Sequence, residues 1–150
     1  MNNTKINVEF FEKFGELEKL CNDMYSQKHG VSCYIDDMIN MQGRYNVKGW
    51  DIYLKRLKET RHKRNKLAHG EIGFSDKYAL KEDIIFVKQF KKLILKGQDP
   101  ICLNNKKQKT QKAKKKTSIK KEHSGKTVLI ITLLIVLICI IFCVLYNLNH

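Results

Sequence analysis

Apolar side chains at Phe10, Phe11, Phe14, Leu17, Leu20, Cys21 and Met24 recur at steps of three and four. That spacing lines one face of an α-helix, and Asn7 is placed to cap its start. Gly30 breaks the pattern. Val31 to Met41 then reads as a shorter second helix, with Ser32 as its cap and Asp36 and Asp37 early in it. Gly43 and Gly49 bracket the next loop. A third helix is expected from about Asp51 to Ala68, with Trp50, Leu54, Leu57, Arg61, Arg64 and Ala68 on one stripe. Lys55, Lys58, Glu59, Lys63 and Lys66 fall largely on the opposite side. Two arginines on an apolar seam are expected to snorkel at its end or to pair with an acid such as Asp36 or Asp37. Gly70 and Gly73 end this helix, and a fourth is expected from about Leu80 to Lys96. Glu82 and Asp83 stand in its first turn and Lys91, Lys92 and Lys96 in its last, with Gly97 following, all matched to the helix dipole. Ile84, Val87, Phe90 or Lys91, and Ile94 form its inner face. No strand pattern of useful length occurs, so the predicted fold class is all-α, a small four-helix bundle.

A different pattern begins at Val128, where VLIITLLIVLICIIFCVLY runs to Tyr146 with no charge. At about 1.5 Å per residue it would cover ~28 Å, close to the ~30 Å hydrocarbon core of a bilayer. A transmembrane helix is therefore expected over 127–146. The alternative is a fully buried core helix, which a soluble part of this size has little capacity to surround. The N-terminal MNNTKINVEFFEKF has no continuous apolar region, so no secretory signal is expected.

Charge sharpens the organisation. The net charge is +14 and the pI about 9.6. Residues 1–104 hold 19 Lys and Arg against 14 Asp and Glu, whereas residues 105–150 hold 10 against 1. The excess is concentrated in a lysine run that abuts the apolar segment and contains few apolar side chains, the composition of a flexible linker. The expected order is a helical domain over 1–103, a Lys-rich linker over 104–126, the span, and a short tail over 147–150 beyond it. The positive-inside rule then places the N-terminal domain in the cytoplasm of a single-pass cell-membrane protein. The lysines suit contact with anionic membrane lipid; an RNA tether is the weakest reading of them, because no aromatic residue is interleaved to stack on bases.

Five cysteines, Cys21, Cys33, Cys102, Cys139 and Cys143, form no CxxC pair and have no histidine-rich partner set. Neither disulfide nor zinc is expected, and no cofactor is implied. A Gly-rich phosphate loop, a GxSxG elbow and paired metal-ligand motifs are all missing, which removes support from most enzyme classes.

The one constellation with candidate chemistry ends the third helix: Arg61-His-Lys-Arg64-Asn65-Lys66-Leu67-Ala68-His69-Gly70. Its RNKLAHG resembles the RxxxxH signature of the HEPN superfamily, with Arg64, Asn65 and His69 at the three matching positions. YIDDM in the second helix, GW before the third and KGQDP after the fourth extend the likeness to roughly residues 6–101, similar to small HEPN-like bacterial proteins. The resemblance implies a metal-independent endoribonuclease whose motifs meet across a homodimer. His69 would then move a proton at a ribose 2'-hydroxyl or leaving oxygen, and Arg64 would hold the phosphate. Asn65 would orient either group or the RNA backbone. On a regular helix, positions five apart are separated by about 140° and ~7.5 Å, so a second copy would be needed to close the site. The competing expectation is a noncatalytic dimerisation or partner-binding module in which Arg64 and His69 are helix-end structural groups and the protein partner is unidentified.

Overall fold

The computed structural model describes residues 2–41 and 47–148; the side chains of 115–128, 139 and 142–148 lie outside the described set. The described chain is all-α. Its helices are α1 (Asn3–Tyr25), α2 (Gly30–Asn40), α3 (Trp50–Ala68), α4 (Lys81–Leu95) and α5 (Pro100–Leu148), and no strand occurs among the described residues. Two units are distinguished, residues 1–107 and 108–150.

In the first unit α1 is the central element, packing against α2, α3 and α4. It buries Phe10, Phe14, Leu17 and Cys21, the face its apolar spacing requires. The predicted cap is corrected. Asn2 caps α1 by accepting the Thr4 N–H at 3.2 Å, while Asn7 sits a turn inside the helix and is fully buried. Its amide donates to the carbonyls of Phe74 and Asp76 at 2.9 and 2.7 Å, and its Oδ1 accepts the Ala79 N–H at 2.9 Å. A buried amide is tolerable only with such partners, and here they fasten the α3–α4 loop to α1.

The turn from α1 to α2 depends on close backbone approach. Ser26 and His29 both take left-handed backbone, and the Gly30 N–H donates to Asn22 Oδ1 at 2.7 Å. A Cβ on Gly30 would collide with the backbone of Cys21 and Asn22. Ser32 is therefore not the cap of α2. On α2, Tyr34 is buried, meets the Phe90 ring edge-on at 5.3 Å and donates its hydroxyl to Asp99 Oδ1 at 2.7 Å. The same Asp99 oxygen accepts the Cys102 N–H at 3.1 Å, so one carboxylate joins α2 to the first turn of α5.

α3 buries Trp50, Leu57, Thr60 and Leu67, a seam offset from the expected stripe. Thr60 enters the core because its hydroxyl donates back to the carbonyls of Arg56 and Leu57, at 2.9 and 3.1 Å. α4 buries Ile84, Val87, Phe90 and Ile94 and ends at Gly97, whose φ of 59° is the left-handed conformation glycine supplies without a Cβ penalty. Lys88 and Lys91 reach from α4 to Glu9 and Glu16 of α1 at 2.7 and 2.8 Å.

α5 is helical where a flexible linker followed by a span was expected. Lysine, abundant in its first half, is a good helix former. The expected single-pass membrane location is corrected: among the described residues no helix is long and apolar enough to cross a membrane. Within the expected 127–146 segment, the side chains of 127, 128, 139 and 142–146 lie outside the described residues.

Candidate functional site

α3 carries seven Lys and Arg against Asp51 and Glu59, which makes it the most basic helix of the first unit. These charges divide between two sides. On the side facing α4, Lys63 reaches Asp83 Oδ2 at 2.6 Å and Arg56 approaches Asp83 Oδ1 at 3.2 Å. Asp83 is fully buried and also accepts the Leu80 N–H at 3.0 Å. Its Oδ1 has no aligned hydrogen bond, so Arg56 acts on it as a nearby charge. Arg56 also contacts Glu59 at 3.3 Å and lies over the Phe86 ring at 5.2 Å. This cluster caps α4 and clamps it to α3.

The other side of α3 faces away from the core. Lys55, Lys58, His62, Asn65 and His69 are all exposed and follow steps of three, four, three and four, so they form one continuous row. Lys55 is 78% exposed, with Glu59 at 4.0 Å as its ion partner. Lys58 and His62 make no ion pair among the described residues. Sequence reasoning placed Lys55 and Lys58 in solvent but did not single out His62 or the row as a unit. The same three-and-four counting that finds apolar faces would have found it.

The expected catalytic trio lies at the end of this row. Arg64 is half-buried, its guanidinium 5.5 Å over the Phe11 ring, and Nη1 donates to Asn65 Oδ1 at 3.3 Å. His69 is the C-cap of α3, exposed, and its backbone N–H donates to the Asn65 carbonyl at 2.9 Å. The Asn65 side chain thus meets Arg64, while its link to His69 is the ordinary backbone bond of a helix, and no hydrogen bond or ion pair joins the Arg64 and His69 side chains among the described residues. Arg61 donates to Ser32 Oγ at 3.1 Å, whereas Asp37, one of its expected partners, accepts the Tyr25 hydroxyl at 2.8 Å.

Several other reactive groups are occupied or suppressed. Burial, aided by nearby acidic groups, pushes the Cys21 thiol up to about 12, well away from a nucleophile's range. Burial and then the hydrogen bonds to Asp37 and Asp99 raise Tyr25 and Tyr34 far above a phenol's ordinary value. Hydrogen bonds from Lys13 and Lys91 hold Glu16 down at about 2. Among the described residues, no three His, Cys, Asp or Glu gather as a metal site.

No curated protein and no solved structure matches the chain. The HEPN assignment is corrected: the family model that matches is a different one, and the geometry around RNKLAHG gives Arg64 a contact with Phe11 instead of one with His69. That model spans residues 8–148, nearly the whole chain, and the protein therefore belongs to DUF6548, a family of unknown function.

Proposed function

We infer that the α1–α4 part is a small helical bundle acting as a noncatalytic interaction module, which presents the outer side of α3 to a partner. The observation that carries this reading is the row Lys55, Lys58, His62, Asn65 and His69, exposed together while the basic residues on the opposite side of α3 are committed to Asp83. A second copy of the chain meeting this face would set lysine against lysine, which weighs against self-association there.

The competing reading is a metal-independent endoribonuclease using Arg64, Asn65 and His69, favoured by the side-chain hydrogen bond from Arg64 to Asn65 at 3.3 Å one turn before the exposed His69. The test is to incubate the purified full chain with total RNA in EDTA beside Arg64→Ala and His69→Ala. No cleavage is expected. Cleavage that leaves 2',3'-cyclic phosphate ends and disappears in both variants would overturn the noncatalytic reading, since losing a proton-transfer group costs about 100- to 10,000-fold.

A further inference from the structure

Resting on the interaction-module reading, we propose that the partner of the outer α3 row is the phosphate backbone of duplex nucleic acid, bound without regard to sequence. From Lys55 to His69 the row spans 14 residues of helix, or ~21 Å at the α-helical rise. Duplex phosphates advance about 3.4 Å along the axis per strand, so the row covers the axial extent of about six of them and can contact several where the winding backbone crosses it. A mononucleotide or free phosphate would engage one step of it.

The chemistry of the row matches that backbone. Two lysines supply charge, and the two imidazoles and the Asn65 amide supply neutral or charged hydrogen-bond donors to phosphate oxygens. Acidic residues are few beside it: exposed Asp51 stands one step of four before Lys55, Glu59 lies between Lys55 at 4.0 Å and Arg56 at 3.3 Å, and Glu71 stands 3.8 Å from Lys66. A protein partner would ordinarily find a buried apolar anchor at the centre of its contact. This row has none; Ile52, 69% exposed, lies one step beyond its N-terminal end. Reading of single-stranded bases would call for aromatic faces. The nearest aromatic on α3, Tyr53, is half-buried and tilted against Phe86 and Phe90 at 6.5 and 5.8 Å. A polar row with neither apolar anchor nor stacking platform fits a regular polyanion.

The lysines of α5 would also bind a polyanion, so the experiment separates the two sources of charge. Binding of short labelled duplex DNA and duplex RNA to the full chain is titrated across a salt series. The triple variant Lys55→Gln, Lys58→Gln, His62→Gln is compared with its parent. The comparison is made twice, in the native background and in one carrying Lys112→Gln, Lys114→Gln, Lys115→Gln and Lys116→Gln. The expected result is a loss of about tenfold or more from the row substitutions in both backgrounds, with the slope of log K against log salt falling by about 2, near 0.9 per phosphate contact. Lys55→Arg with Lys58→Arg should retain binding, which separates charge from damage to the helix.

Duplex binding unchanged by the row substitutions in both backgrounds would overturn the proposal and assign the affinity to α5. Row-dependent binding to phosphatidylserine vesicles without binding to either duplex would overturn it in favour of a lipid surface. Failure to bind any duplex without RNA cleavage would overturn this proposal and leave the interaction-module reading standing. Cleavage lost in Arg64→Ala and His69→Ala would instead overturn that reading, so the two failures are distinguishable.

Discussion

The two sides of α3 are made from the same residue types and are put to opposite uses. Toward α4, Arg56 and Lys63 converge on a carboxylate that has no contact with water. Removing an acid from water is costly unless cations and donors surround it, and Asp83 has both. On the outer side Lys55, Lys58 and His62 stand in solvent, where the few ion pairs available contribute little to folding. A helix can thus be basic for two unrelated reasons, one internal to the fold and one directed outward. Composition alone cannot apportion them. Which acid lies across the interface decides.

The largest effect should come from breaking the inner side. Asp83→Ala would strip the Leu80 N–H of its acceptor and leave Arg56 and Lys63 without their common partner. The cations are 30% and 21% exposed and can turn toward water, so a loss of about 2–4 kcal/mol is expected, below the upper range for a wholly buried pair. Urea unfolding of the variant measures it. A loss under ~0.5 kcal/mol would mean that the two sides of α3 do not differ as described.

Next in size is Asn7→Ala, which deletes the bonds from α1 to Phe74, Asp76 and Ala79. Leaving buried backbone groups without partners costs about 1–3 kcal/mol. Hydrogen exchange should rise first at Ala79, whose N–H loses its acceptor. This residue also marks how far the sequence could be read. The four helices and much of their inner faces were legible from three-and-four spacing, because burial of Phe10, Phe14, Leu17, Ile84, Val87 and Phe90 leaves that periodic trace. Asn7 was legible only as a cap, because an asparagine before an apolar run looks the same whether its amide serves its own helix or a loop nearly 70 residues away. Thr60 was missed for a related reason: its hydroxyl is satisfied by the preceding turn, so a polar residue takes a core position. Arg64 was placed correctly near the inner seam, but its stacking on Phe11 depends on how α1 crosses α3 and leaves no mark in the RNKLAHG stretch. The apolar segment after Val128 illustrates the opposite difficulty. With apolar residues on every side, spacing has no polar face to read, and it does not say what the segment packs against.

A smaller effect should appear on acidification. The Lys88 contact lowers the Glu9 carboxyl, and the Lys13 and Lys91 contacts hold Glu16 at about 2, in each case below the ordinary carboxylate value of about 4.3. A folded-state pKa lower than the unfolded one means that the unfolded chain binds protons first as pH falls. The contribution is complete above the ordinary value and is lost between there and about pH 2. Both acids are substantially exposed, so solvent screening keeps the effect small. Melting temperature followed from pH 6 to pH 2 should fall less in Glu16→Gln than in the native chain. Equal falls would show that the α1–α4 ion pairs contribute nothing to the acid limb.

The smallest expected effect on stability is at the outer row, and it is the one that sharpens the comparison most. Replacing Lys55, Lys58 and His62 by glutamine removes no core contact, and only the 4.0 Å approach of Lys55 to Glu59 is lost from the ion pairs. Glutamine matches lysine closely in helix propensity, so α3 itself should be undisturbed. The unfolding free energy should change by less than about 0.5 kcal/mol, the usual range for surface substitutions, while duplex affinity falls at least about tenfold. Measuring both quantities on the same protein preparation separates an outward-facing role from a structural one. If unfolding free energy and affinity fell together, the outer lysines would be part of the fold, and the distinction between the two sides of α3 would collapse. If stability held while affinity fell, charge that folding does not require would be charge that the partner uses.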